Sequence, residues 1–226
     1  AVTNELGSIT SQVSASPTAG FSVVTYTGTG SAATVGHGLG VAPKMIISKK
    51  RSSTGDWNTY SSEISVTQVL YLNLTNAAGT GFAYNQTAPT STVYSIAGGL
   101  DDADDYVAYC FSEVPGYSKF GSYTGNGSAD GPFVYLGFRP AFLMVKRTTA
   151  AGNWGVWDTT RDTYNAVVYE LVPNASDAET TAAGVRLDIL SNGFKLRNTG
   201  VAYNASGSTY IYMAFAENPF KNSLAR

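Results

Sequence analysis

Apolar and polar residues alternate in short bursts along this chain, at the spacing of strands rather than helices. Bursts near 22–27, 33–38, 44–50, 57–62, 68–74, 92–97 and 105–113 are followed by a second series near 119–124, 132–136, 141–147, 154–158, 166–172, 194–198 and 209–216. Glycine, asparagine and serine separate them. Short strands at regular intervals with turn residues between them predict an all-β sandwich, jelly-roll-like in its regularity. Lys44-Met-Ile-Ile47 and Ala141-Phe-Leu-Met-Val145 are continuously apolar, which predicts central strands covered on both faces. One helical turn is expected from Ser176-Asp-Ala-Glu179 onward, because serine followed three residues later by glutamate has capping-box spacing. Thr180 and Thr181 are poor helix formers and limit it to a turn.

The two series are related. Tyr26-Thr-Gly-Thr-Gly-Ser-Ala32 matches Tyr123-Thr-Gly-Asn-Gly-Ser-Ala129, an offset of 97 (123 − 26). With that offset held, Pro43 falls on Pro140, Lys49 on Lys146, Gly55 on Gly152 and Trp57 on Trp154. There are twelve identities in the 35 ungapped positions from 26 to 60. The register then slips between strands, and Tyr106-Val-Ala-Tyr-Cys-Phe-Ser-Glu-Val-Pro115 aligns with Tyr210-Ile-Tyr-Met-Ala-Phe-Ala-Glu-Asn-Pro219. Insertions of this kind belong in loops. The expected organisation is a linker or N-terminal arm over 1–20, a first β-sandwich over 21–117, and a second over 118–226 with a short C-terminal tail. The pair would have arisen by internal duplication.

Charge narrows the function. Only 13% of residues are charged and the formal net charge is −2, so the electrostatic footprint of a nucleic-acid-binding protein is missing. Lys49-Lys50-Arg51 and Lys146-Arg147 are expected at strand ends, in solvent. No apolar stretch approaches the roughly 18 residues that span a bilayer as a helix. The chain starts at Ala1 without methionine and with no visible signal peptide, and reads as a processed form or a fragment.

Catalysis needs groups that titrate or attack, held by partners, and few are available. The single histidine, His37, lies among glycines, and the offset of 97 places it opposite Val134. It reads as a turn residue covering a strand end. The single cysteine, Cys110, reads as a small buried hydrophobe. One residue of each type cannot build a zinc site. Asp101-Asp102-Ala103-Asp104-Asp105 is the best candidate for calcium, but lacks the 12-residue loop pattern and its closing glutamate. The corresponding Ala205-Ser-Gly-Ser-Thr209 is uncharged, so a solvated turn is expected. Glu113 and Glu217 lie at equivalent positions and read as structural. No enzyme, cofactor or metal is therefore expected.

Aromatic residues are the remaining candidates. Trp57 and Trp154 recur at one place in both halves, which predicts a core role. Tyr60 and Trp157 lie three residues further on, hence on the other strand face, and are expected to be exposed contact residues. Tyr84 and Tyr203, in loops, are weaker candidates. Exposed Tyr and Trp stack on sugar rings and anchor protein interfaces.

Val35-Gly-His-Gly-Leu-Gly-Val-Ala-Pro-Lys44, Gly137-Phe-Arg-Pro-Ala-Phe-Leu-Met-Val-Lys-Arg147, Leu190-Ser-Asn-Gly-Phe-Lys-Leu196 and the stretch from Asp105 to Gly127 resemble a repeated C-terminal module of structural proteins in tailed bacteriophages, often marine ones. So does Asn204-Ala-Ser-Gly-Ser-Thr-Tyr-Ile-Tyr-Met-Ala-Phe-Ala-Glu-Asn-Pro-Phe-Lys221. The resemblance covers nearly everything after residue 20 and is broken at Asp101–Asp105, where it implies an Asn-Ala-Ser-Gly type of turn. It implies a virion location in a tail or capsid appendage, other virion proteins as partners, assembly as a homotrimer, and attachment to a host glycan or outer-membrane protein. An architectural tail or capsid decoration, or a carbohydrate-binding module, are the alternatives. The resemblance implies no catalytic or binding residue.

Overall fold

The computed structural model describes residues 1–179, 181 and 186–218. The chain divides into two compact units, one comprising Ala1–Leu72 and Ala78–Glu113, the other Asn73–Ala77 and Val114–Arg226. Both are antiparallel β-sandwiches.

In the first unit the strands are β1 (Val2–Asn4), β2 (Ser11–Ser16), β3 (Phe21–Thr27), β4 (Ala33–Gly36), β5 (Met45–Lys50), β6 (Asn58–Ser61), β7 (Gln68–Tyr71), β8 (Gly79–Thr80), β9 (Val93–Ile96) and β10 (Asp105–Phe111). One sheet runs β1-β2-β3-β10-β5-β6-β7-β8, and β4 pairs with β9 in the other. Alternate residues of β3 and β10 (Val24, Tyr26, Tyr106, Ala108 and Cys110) point inward against Val35, Tyr94 and Ile96 of the second layer. The period of two is the pleat itself. Residues 1–20, expected as linker or arm, supply β1 and β2, and a 3₁₀ turn over Pro17–Ala19 leads into β3.

The second unit contains β11 (Ser118–Thr124), β12 (Phe133–Tyr135), β13 (Pro140–Arg147), β14 (Trp154–Asp158), β15 (Leu187–Leu190), β16 (Gly193–Leu196), the one-turn helix α1 (Val201–Asn204) and β17 (Thr209–Ala216). Its sheets run β11-β17-β13-β14 and β12-β16-β15. The order β11-β17-β13-β14 has the same form as β3-β10-β5-β6. The continuously apolar segments are interior strands, β5 between β10 and β6, and β13 between β17 and β14.

The same ring framework occurs in both units. Tyr26 stacks on Tyr106 at 5.0 Å and Tyr123 on Tyr210 at 5.0 Å. Tyr26 donates its hydroxyl to Leu100 O at 3.0 Å, and Tyr123 to Tyr203 O at 2.8 Å. Tyr94 meets Tyr26 edge-on, as Phe194 meets Tyr123. Stacked and edge-on rings suit the aromatic quadrupole, and their bonded hydroxyls avoid the cost of a buried polar group.

Two expected elements differ. No strand forms over 166–172, where single bridges stand instead, among them Val167 to Leu187 and Val156 to Leu171. The Asp162 carboxylate accepts from the backbone N–H groups of Val168 and Tyr169 at 2.6 and 3.3 Å, diverting donors a strand would need. Residues 176–179 are not helical. Glu179, the expected capping partner, instead accepts from Arg161 Nη1 at 2.7 Å. Part of the expected turn lies outside the described residues.

Candidate functional site

The four expected contact residues are all in the interior. Tyr60 is 5% exposed, Tyr84 4%, Trp157 1% and Tyr203 2%. Tyr60 meets Tyr84 edge-on at 5.7 Å, and Trp157 meets Tyr203 edge-on at 4.8 Å. The Tyr84 hydroxyl lies among Ile46 O, Ser48 Oγ and Asn58 O, and that of Tyr203 bonds Glu170. Strand β14 buries both Trp154 and Trp157, so its opposite faces are both covered and neither side of the alternation is solvent. Trp57 is half-buried.

The groups singled out for chemistry are occupied with structure. His37 is buried. Its Nε2 lies 3.2 Å from Thr90 O and its Nδ1 accepts from the Leu39 N–H at 3.3 Å. Both nitrogens are thus used by a neutral ring, and burial holds its pKa below the ordinary value. Cys110 is buried and its thiol is pushed up to about 12 by desolvation. In the acidic turn, Lys50 Nζ bridges Asp102 and Asp104 at 2.8 and 3.0 Å, and Ser52 and Ser53 donate to Asp104. Among the described residues no group of three or more His, Cys, Asp or Glu is placed to hold a metal ion, and no helix is long and apolar enough to cross a membrane.

The expected solvated charges at the strand ends need correction. Lys146 is buried completely, with Nζ donating to Thr75 O at 2.9 Å and Gly152 O at 2.5 Å. Desolvation pushes its pKa down to about 8. Its counterpart Lys49 makes the matching bond to Gly55 O at 2.8 Å near the surface.

Large exposed rings occur elsewhere. Phe133 and Tyr135 are 45% and 60% exposed and share the outer face of β12, an edge strand. Lys195 lies opposite Phe133, and Gly193 opposite Tyr135. A Cβ at Gly193 would sit 3.1 Å from Phe133 Cε2, and one at Gly137 would sit 3.5 Å from the Tyr135 hydroxyl. Each ring therefore rests against a glycine. Lys119 Nζ stands 5.4 Å from the Tyr135 centroid and donates to Tyr135 O at 3.2 Å. Around the rings runs a charge chain in which Asp130 pairs with Lys195 at 2.8 Å, and Arg197 with Asp188 at 2.9 Å.

The first unit carries no such face. Val35 pairs with Tyr94 as Val134 pairs with Phe194, so Thr34 and Gly36 are the counterparts of Phe133 and Tyr135. This pairing also sets His37 opposite Leu136 rather than Val134. The N-terminal segment covers Thr34 and Gly36: Ile9 N–H donates to Thr34 O at 3.1 Å, and Ser11 Oγ to Gly36 O at 3.0 Å. A Cβ on Gly36 would lie 2.0 Å from Asn4 Oδ1. No feature of composition separated Phe133 and Tyr135 from the chain's other aromatics. Only the three-dimensional pairing does so.

No curated protein and no solved structure matches the chain. A family described as Domain of unknown function (DUF7483) matches residues 1–219, nearly the whole sequence, and the chain belongs to that family.

Proposed function

We propose that this chain is a non-enzymatic attachment module of a phage virion appendage, built by tandem duplication of one sandwich, and that the outer face of β12 makes its contact with the host surface. The observation that carries the contact is the pair of exposed rings on β12, Phe133 and Tyr135, each resting against a glycine. A ring held in place loses little entropy on binding. Aromatic faces suit the C–H faces of sugars, while Lys195, Asp130 and Arg197 offer donors and acceptors to hydroxyls. The virion setting rests on the phrases that resemble phage appendage modules. The absence of catalysis rests on the internal roles taken by His37, Cys110 and the Asp101–Asp105 turn. In a homotrimer, weak contacts multiply by copy number.

The test is binding of the recombinant chain, displayed multivalently, to susceptible host cells. Phe133→Ala with Tyr135→Ala is expected to weaken binding on the order of tenfold per monomer, as for a central aromatic anchor, with folding unchanged. Binding unaffected by the double substitution removes the face from the proposal. No binding to any host cell removes attachment.

A further inference from the structure

The first unit carries a cleft of its own. It is a cleft of about 250 Å³ between the end of β5, the start of β6, β7 and the turn before β10, lined by Lys50, Asp56, Asn58, Tyr71, Gly98 and Gly99 among others. We propose that it binds a single hexopyranose residue. The choice of a saccharide rests on the attachment reading, but the cleft itself does not.

Comparison of the units shows that the space is a local departure from their shared frame. Lys50 stands opposite Tyr106 as Arg147 stands opposite Tyr210. Arg147 reaches across to Val201 O and Ser208 Oγ, at 3.5 and 2.6 Å. Lys50 instead turns to Asp102 and Asp104. Leu100 and Tyr203 are matched by the hydroxyl bonds they accept from Tyr26 and Tyr123, so Gly98 and Gly99 correspond to Val201 and Ala202 of α1. Asn58 pairs with Ser48 as Gly155 pairs with Val145, and a Cβ on Gly155 would lie 2.5 Å from the Tyr203 hydroxyl. The tyrosine is common to both units, because in the first the Tyr84 hydroxyl meets Asn58 O at 2.9 Å. What differs is that an arginine and a helical turn occupy the corresponding place in the second unit, whereas in the first two glycines and a lysine turned to Asp102 and Asp104 leave it open.

The walls fit one sugar ring. The volume is below the roughly 300–1,000 Å³ of pockets for drug-sized ligands, so an oligosaccharide could enter by one residue only. Asp56 and Asn58 line the cleft with a carboxylate and an amide, the Asn58 Nδ2 also donating to Asp56 O at 3.4 Å, and such groups can share further hydrogen bonds with sugar hydroxyls. Tyr71, half-buried opposite Asn58, offers an apolar wall to ring C–H groups. Gly98 and Gly99 have φ of 52° and 98°, conformations that suit glycine; Gly98 packs against Phe82, while Gly99 leaves its backbone open to a ligand. A Cβ on Gly99 would meet nothing within 4 Å.

The experiment is a nitrogen-15 amide titration of the full chain with methyl glycosides of glucose, galactose, mannose and N-acetylglucosamine. At least one is expected to give saturable shifts confined to Gly55, Asn58, Gly98, Gly99 and their neighbours. Gly55→Trp places a ring against the Lys50 stem, where a Cβ has ordinary contacts of 3.5 to 4.0 Å, and is expected to weaken binding at least tenfold. If that variant misfolds, Asp56→Ala, at an exposed position, replaces it with the same expectation. No saturable shift with any glycoside, shifts that survive these substitutions, or shifts centred on Phe133 and Tyr135 would overturn the proposal. The Phe133→Ala, Tyr135→Ala variant is expected to keep the cleft shifts while losing cell attachment, so failure of the cleft and failure of the attachment face are read separately.

Discussion

Replacing Lys146 by methionine tests whether a charged amine is held inside the second unit. The ammonium bonds Thr75 O and Gly152 O, and burial lowers its pKa from 10.5 to about 8. That shift of about 2.5 units corresponds to about 3 kcal/mol at 1.36 kcal/mol per unit. It is the amount by which folding disfavours the charged amine against the neutral one, and so the ceiling on the stability that deprotonation returns. Above pH 8 the folded amine releases its proton before the unfolded one, so the unfolded chain binds more protons and wild-type stability rises toward pH 10.5. Methionine has no proton to release. It leaves Gly152 O without its donor, while Thr75 O keeps the Gly152 N–H at 2.8 Å, and both effects are independent of pH. The wild type should therefore gain about 2–3 kcal/mol on the methionine variant between pH 7 and pH 10. Urea denaturation of both proteins at the two pH values measures the difference, in which the other titrating groups cancel. A difference that stays constant, or moves the other way, would refute a buried Lys146 whose charged form is disfavoured.

Three further outcomes follow from the interior. Tyr26→Phe and Tyr123→Phe each remove one hydroxyl bond to a buried carbonyl and should cost about 1–2 kcal/mol, nearly equal in the two units, by the same denaturation assay. Glu170, buried beside Tyr203, has its carboxyl raised by desolvation. Its folded form therefore keeps a proton that the unfolded form has lost, and stability falls as pH rises above about 4.5. Glu170→Gln should flatten that fall, as pH-dependent melting would record. Cys110 should react with a thiol-specific disulfide reagent only as fast as the first unit opens, because its thiol is both buried and protonated. Rapid labelling of the native chain would contradict its position.

Periodicity located the strands whose pairing is regular and failed where side chains do the pairing. Strands β5 and β13 were legible because an uninterrupted apolar run fits an interior strand. Strand β15 was not, because its partner across part of its length is an amide side chain. Asn165 Oδ1 accepts from Ile189 N–H at 2.9 Å and Asn165 Nδ2 donates to Ile189 O at 2.8 Å, which imitates a ladder pair without a strand. The aromatic candidates failed for another reason. Alternation separates two faces of a strand but does not say that one of them is wet, and β14 buries Trp154 and Trp157 on both.

The exposed ring face of β12 was hidden by register. At the offset of 97, Phe133 and Tyr135 align with Gly36 and Gly38 and look like loop substitutions. The hydrogen-bonded pairs move the comparison by two residues, to 99 (134 − 35), and set them against Thr34 and Gly36 of β4. There the difference acquires a physical meaning. The first unit covers this edge with Ser8, Ile9 and Ser11 of its own chain, which satisfies the strand's outward backbone groups and removes a pairing hazard. The second unit places two large rings at those positions, and a side chain in place of Gly36 would collide with such a cover. Tyr135, at the position of Gly36, is thus incompatible with the covering seen in the first unit. Where two units share a strand order, an edge covered in one and armed with aromatic rings in the other is where a partner from outside the chain is to be sought.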